Sequence, residues 1–269
     1  MATATSTLPA ALETRLAYNF KLWLKEAKYE YLKNLRLRTY SVSVVVFPVM
    51  FYILFGLILG RHGDGPIRAA TYLMATYATF GIMGASLFGT AAGLAAERGL
   101  GWFEVKRSSP MPPAAYFAAK IIMSVIFSAQ VVLLLMLLGV TLGGVKLSLV
   151  CAVKLLAILL AGSLPFCAMG LALGYFVGPN SAPAAINLIY LPMSFCSGLW
   201  VPLMFLPRIM RQLGEILPPY HLSQLALGVV GAGNAEPGLK HWEVLIGFTL
   251  ICLGIARIGY QRDEGKTYG

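Results

Sequence analysis

The chain has 269 residues, of which 58% are hydrophobic and only 12% charged. Soluble domains average about 25% charged residues, so there is too little polar material here to cover a water-facing surface, and a soluble globular class is excluded. The 21 Lys and Arg outnumber the 11 Asp and Glu, giving a formal net charge of +10. Those basic residues flank apolar runs instead of forming a face, so membrane orientation accounts for them and no nucleic acid is expected as a partner.

In chain order, residues 1–39 form a basic N-terminal segment. No short charged region runs directly into an apolar core and cleavage site, so no cleaved signal peptide is expected. Within it, Leu12, Leu16, Phe20, Trp23, Ala27, Tyr31 and Leu35 recur every three or four positions, with lysines, Arg36, Glu13, Glu26 and Glu30 between them. The spacing predicts an amphipathic helix in the membrane surface, with Trp23, Tyr29 and Tyr31 at the headgroups. An ordinary basic flank is the plainer alternative.

A spanning helix needs about 20 apolar residues, because the hydrocarbon core is about 30 Å thick and each residue rises about 1.5 Å. Residues 40–258 contain six such runs: Tyr40–Gly60, Ala69–Ala96, Ala118–Leu142, Leu147–Val177, Ala184–Phe205 and Trp242–Ile258. They are continuously apolar and do not alternate, which indicates helices and not barrel strands. The stretch Leu206–Gly233 is broken by Pro207, Pro218 and Pro219, and its apolar part is too short to cross, so re-entrant or interfacial helices are expected there. Residues 259–269 form a tail. The fold class is therefore all-α: a polytopic membrane protein with six transmembrane helices, an N-terminal amphipathic interfacial helix and re-entrant helices before the last span.

Fourteen Lys and Arg fall on the side that holds the N-terminal segment, the loop after the second span and the tail. Seven fall on the other side, among them Lys146, Lys154, Arg208, Arg211 and Lys240. The positive-inside rule then puts both termini in the cytoplasm.

Chemistry of its own is scarce in this chain. His62, His221 and His241 lie outside the spans or at their ends, and no HExxH pattern occurs, which argues against a zinc protease. Ser86, Ser124, Ser128, Ser163 and Ser194 sit in spans with no histidine at their depth, so a nucleophile–base pair is not available. Cys151, Cys167, Cys196 and Cys252 lie in apolar stretches without CxxC spacing and read as small hydrophobes, not metal ligands. Gly265-Lys266-Thr267 ends like a phosphate-binding loop, but Tyr260 stands where that loop needs glycine. The chain is therefore not expected to be an enzyme or to bind ATP itself.

The span interiors hold no Asp or Glu, and Lys154, near an outer end, is the charged exception and can snorkel. This speaks against proton or sodium coupling. Gly81, Gly84, Gly89 and Gly93, then Gly170, Gly174 and Gly178, recur at helical spacing and allow close backbone approach, either within the chain or at a seam between subunits.

The loop after the second span, residues 97–117, is polar but compact. Glu97 to Lys106 suits a short helix, and Ser108-Ser109-Pro110 turns the chain back toward the next span. A short rigid helix between two spans is a lever through which a soluble partner could tilt both.

At this loop the sequence resembles the permeases of type-2 ABC exporters. The resemblance rests on Glu97, Arg98, Gly101, Glu104, Ser109, Pro110 and Lys120, with Trp102 replacing the family's usual Thr and Lys106-Arg107 replacing aliphatics. A second match is the end of the fifth span: Ser197-Gly198, Pro202, Leu206-Pro207, Leu217-Pro218, Tyr220 and Gly228.

The resemblance implies an exporter permease of the bacterial plasma membrane that moves an amphiphilic, drug-like, lipid or glycoconjugate cargo. It implies a second permease copy, pairing as a homodimer, and two copies of a separate ABC ATPase carrying ATP and Mg. Residues 97–112 would be the coupling helix in the ATPase cleft, and Gly178-Pro179-Asn180 a second contact. An ATP-independent channel or carrier is the alternative.

Overall fold

The structure of the chain is a computed structural model that describes residues 8–58, 69–102, 105, 108, 112–233 and 236–264, with side chains at 8–21 and 264 outside the description. The described residues are helical or in connecting turns, and no strand occurs among them. Glu104, Ser109 and Pro110 of the expected coupling loop lie outside the described residues.

Helix α1 (Leu8–Arg36) ends at Leu37, and α2 (Arg38–Ile58) follows at once. Pro48 removes one rung from the α2 ladder, and from Tyr52 onward the helix is wound as a π-helix. Next come α3 (Ala69–Gly99) and α4 (Pro113–Thr141). The fourth apolar run is two helices, α5 (Leu149–Ala161) and α6 (Leu164–Phe176), bent at Gly162-Ser163-Leu164-Pro165. Proline breaks the ladder there, and Gly162 admits Leu222, whose Cδ1 would stand 2.1 Å from any added Cβ.

Five segments are long and apolar enough to cross a bilayer: α2, α3, α4, α5–α6 taken together, and Gly238–Asp263. The sixth expected span differs in extent. Helix α7 (Ala182–Cys196) stops nine residues before Phe205, because Gly198 takes a φ of +74° and turns the chain. At 15 residues it is about 22 Å long, short of the hydrocarbon thickness. The proline-broken stretch then forms α8 (Arg208–Gly214) and α9 (Pro218–Val229), and α10 (Gly238–Glu264) closes the chain. Pro207 precedes α8, and Pro218 opens α9 at a position that needs no intrahelical N–H.

Helix α3 is the axis of the bundle: 83% of its most apolar window is buried, against 22% to 44% for the other four segments. Around it pack α2, α4, α6 and α9. Gly170 and Gly174 seat α6 on α3. A Cβ on Gly170 would meet Thr90 Oγ1 at 1.9 Å, and one on Gly174 would meet the Leu94 side chain at 3.0 Å. Both glycines therefore serve packing within the chain, one of the two roles their spacing allows, and Gly178 lies beyond the helix in a turn.

Candidate coupling site

The two helices that flank the expected coupling loop are longer than the hydrocarbon layer is thick. With 31 and 29 residues, α3 and α4 are about 46 and 43 Å long, so each has surplus length to place outside a layer of about 30 Å. The end of α3 and the start of α4 are the two feet of the expected coupling loop. Glu97 stands on the first foot, and Tyr116 and Lys120 on the second.

These feet meet α1 in a closed ring of alternating charges. Lys120 Nζ lies 2.9 Å from Glu30 Oε1 and 3.2 Å from Glu97 Oε2, and Lys33 Nζ lies 2.8 Å from Glu30 Oε1 and also donates to Glu97 Oε1. The ring runs Glu30, Lys33, Glu97, Lys120 and back, with zero net charge. Tyr116 donates its hydroxyl to Glu97 at 2.5 Å, while Lys120 also stands over the Tyr116 ring at 5.0 Å. Asn34 donates to the Glu30 carbonyl at 2.9 Å.

Burial makes this ring consequential. Lys120 is 0% exposed, and Glu30 and Asn34 are 4% exposed. Buried charges persist only when paired and hydrogen-bonded, and removing one partner strands the other. Desolvation pushes the Glu30 carboxyl up, yet Lys120 and Lys33 outweigh it and the nearby Glu97, and its pKa ends below the ordinary value. Burial likewise lowers the Lys33 ammonium, and Glu30 and Glu97 reverse that, leaving it raised.

Glu30 was expected among the charges on the polar side of α1. The structure buries it instead, on a face made by Ala27, Glu30, Tyr31 and Asn34, with Tyr31 against Phe127 of α4 at 5.3 Å between ring centres. Trp23 and Leu35, expected on the apolar face, are 37% and 45% exposed. A spacing of 27, 30, 31, 34 is itself one helical face. That signal was present in the sequence, hidden because two of its four members are polar.

Arg98, the next residue after Glu97, reaches the opposite way. Its Nη1 donates to the carbonyls of Gly174 and Tyr175 at 2.9 Å each, satisfying orphan acceptors at the end of α6. Its Nε and Nη2 clasp Asp263 near the end of α10 at 3.1 and 2.5 Å. In the sequence Asp263 is one acid in the C-terminal segment, with no pattern that ties it to Arg98.

Gly101 has a φ of +73° and ends α3 with a left-handed turn. On either side of it Leu100, Trp102 and Val105 are 72%, 58% and 58% exposed, Leu100 in the turn and Trp102 and Val105 in helical backbone, with Val105 N–H donating to the Gly101 carbonyl at 3.3 Å. Gly178, Pro179 and Asn180 form an exposed turn before α7. The two expected contacts touch one another: a Cβ on Gly99 would stand 2.5 Å from Pro179 Cγ.

At the other end of the bundle, Ser197 is buried, Gly198 and Pro202 shape the turn after α7, and Pro207, Pro218 and Tyr220 order α8 and α9. Ten consecutive residues, Pro218–Leu227, are buried in α9. Among the described residues no group of three or more His, Cys, Asp or Glu is arranged to hold a metal.

The ABC-2 type transporter family model matches residues 25–230. The match begins five residues before Glu30 and takes in the whole ring and both loop segments. This chain belongs to the ABC-2 type transporter family. It is also 25% identical over 241 residues to YvfS of Bacillus subtilis (strain 168), a protein named as a transport permease, a similarity covering 89% of this chain and 97% of that one. The chain is thus a multi-pass type-2 ABC transporter permease, the membrane component of a system whose family normally works with an ATPase subunit.

Proposed function

We propose that this permease is the non-catalytic membrane subunit of an ATP-driven exporter of the bacterial plasma membrane. Two copies pair around the pathway, and two copies of a separate ABC ATPase, which hold ATP and Mg, dock beneath. Both termini and residues 97–117 face the cytoplasm. Helix α7, with the turn that follows, makes the sixth crossing, α8 and α9 re-enter from the far side, and α1 lies in the membrane surface. The cargo is amphiphilic: drug-like, lipid or glycoconjugate.

The observation that carries this reading is the double fastening of residues 97 and 98. One foot of the loop is tied through Glu97 to α1 and α4, and through Arg98 to α6 and α10. Force on the exposed Leu100, Trp102 and Val105 would therefore reach four helices as one body. Nucleotide-dependent docking then shifts the balance between pathway states by its differential affinity for them.

The test is the sidedness of the loop and the partner it holds. Trp102→Cys in the full chain should resist a membrane-impermeant maleimide in intact cells and react in inside-out vesicles. An ABC ATPase should co-purify with the wild-type chain and be lost with Trp102→Glu. Labelling of residue 102 in intact cells overturns the orientation and, with it, the docking surface.

A further inference from the structure

At the end of the bundle opposite the charge ring, α5, α9 and the start of α10 enclose an open cleft of about 410 Å³. Cys151, Lys154, Gln224, Val229, Glu236 and His241 contribute to its wall. Its charges are unevenly settled. Glu236 is held by Lys240 at 3.0 Å and faces His241 Nε2 at 3.9 Å. The other face of that imidazole is occupied, with His241 Nδ1 lying 2.9 Å from His221 Nδ1. Lys154 has no carboxylate within salt-bridge distance among the described residues.

Lys154 also stands where a lone cation is costly. Leu149, Val150 and Val153 of α5 are 81%, 62% and 59% exposed, and the exposed stripe continues through Lys154 to Ala157 and Ala161. That stripe is apolar except at Lys154, and it faces outward from the bundle. An ammonium on an outward-facing apolar surface, with no carboxylate beside it among the described residues, requires water or an anion. Lys154 is five residues into α5, about 7.5 Å along the axis from the helix start. The polar zone of a leaflet is about 5 to 8 Å thick, from the difference between total and hydrocarbon thickness.

We propose that this cleft is a phospholipid site. Lys154 pairs with the phosphodiester of a bilayer lipid, the headgroup occupies the cleft between α9 and the start of α10, and an acyl chain runs along Val153, Ala157 and Ala161. A flanking ammonium attracts phosphate as a point charge, and the apolar stripe supplies the surface for the chain. The inference does not depend on how the loop at the other end couples to an ATPase. It needs only that the bundle sits in a bilayer.

The experiment uses the purified full-length chain in detergent and native mass spectrometry to count retained lipid. Four probes are compared: phosphatidylglycerol, phosphatidylethanolamine, diacylglycerol (which has no phosphate) and water-soluble glycerol 3-phosphate. Wild type and Lys154→Arg should retain both phospholipids. Lys154→Gln should retain about tenfold less, the size expected for losing one charge-assisted contact. Lys146→Gln, which removes an exposed cation on the neighbouring connection outside the cleft, should behave as wild type. Diacylglycerol should not be held.

Equal phospholipid retention by wild type and Lys154→Gln overturns the proposal and leaves Lys154 as a snorkelling side chain. Retention of diacylglycerol at the same level also overturns it, because the phosphate would then contribute nothing. Displacement of the lipid by glycerol 3-phosphate at equal concentration would reassign the cleft to a soluble phosphate and overturn the lipid assignment.

Discussion

Glu97 and Arg98 are neighbours in sequence and hold opposite sides of the bundle. Glu97 turns toward α1 and α4, where Lys33, Lys120 and Tyr116 all reach its two oxygens. Arg98 turns toward α6 and α10, where it takes two backbone carbonyls and Asp263. Successive residues on a helix are about 100° apart, so an adjacent acid and base can grip different elements from one turn. The acidic-basic pair at the end of α3 therefore fixes that end in two directions.

If Glu97 holds the α1–α4 side, Glu97→Gln should destabilise the chain by about 3 kcal/mol. It removes one of two carboxylates serving a fully buried ammonium, and stranded buried charges cost on that scale. Lys120→Met alone should cost a similar amount. The pair Glu97→Gln with Lys120→Met should cost clearly less than the sum, measured by thermal unfolding in detergent as a double-mutant cycle. Additive losses would mean that the two side chains do not interact.

The closed ring makes a sharper prediction than any single pair. Exchanging charges as Glu30→Lys with Lys120→Glu preserves that one ion pair. It also sets residue 30 beside Lys33 and residue 120 beside Glu97, creating two like-charge contacts where there were two attractive ones. The exchange should therefore fail to rescue folding. Reversing all four positions, with Lys33→Glu and Glu97→Lys added, restores alternation and should recover yield and melting temperature. Rescue by the two-residue exchange would show that Glu30 and Lys120 act as an isolated pair.

What was legible in the sequence divides along physical lines. Span existence and the helical class follow from long apolar runs, which need no partner to be recognised. The end of α3 was legible because Glu97, Arg98 and Gly101 sit at a junction where apolar sequence stops. The ring was not visible, because Glu30 and Lys120 are 90 positions apart and each alone looks like a solvated charge beside a span. Nor was Asp263, whose value to Arg98 exists only once α10 returns to α3. The end of α7 falls short of the expected span because Leu199, Trp200 and Val201 prolong the apolar run past Gly198, whose left-handed backbone turns the chain.

Acid should loosen α1 before it unfolds the rest. The Glu30 pKa is lowered in the fold from its ordinary 4.5. Its contribution is therefore present above that value and is lost as pH falls through the lower, folded one. Lys33 is raised from 10.5, so its contribution is present below that value and is lost only as pH rises through the higher, folded one. The docking of α1 should be flat between those limits and weaken on the acid side below about 4.5. A spin label at Leu24→Cys, on the exposed side of α1, should gain mobility there. In Glu30→Gln it should be mobile at neutral pH. Unchanged spectra down to pH 3 would remove the ring from the account of how α1 is held.

Arg98 and Asp263 should couple more weakly than the ring. Their side chains are 19% and 18% exposed, so water screens them in part. Arg98→Lys keeps the charge but loses the fork that reaches Asp263 and two carbonyls together. A loss of about 1 to 2 kcal/mol is expected, the range for hydrogen bonds to a charged group. Asp263→Asn should cost less, because the carbonyls of Gly174 and Tyr175 still hold the guanidinium. If Asp263→Asn proves the more damaging, the arginine is anchored by the tail of α10 and not by the end of α6.

Gly99→Ala tests whether the loop and the turn before α7 move together. The added methyl would lie 2.5 Å from Pro179 Cγ and 3.1 Å from its Cβ, closer than packed carbons allow, and the proline ring cannot rotate away. Overpacking of this kind costs about 1 to 3 kcal/mol. The turn at residues 178–181 is exposed, so much of the strain should be relieved by displacing it, and stability should fall only toward the lower end of that range. Transport should fall further than stability, because displacement separates two surfaces proposed to meet one ATPase. Pro179→Ala removes the obstructing ring atoms and should restore transport to Gly99→Ala. A double variant no better than Gly99→Ala alone would show that the glycine is needed for its backbone and not for its approach to the proline.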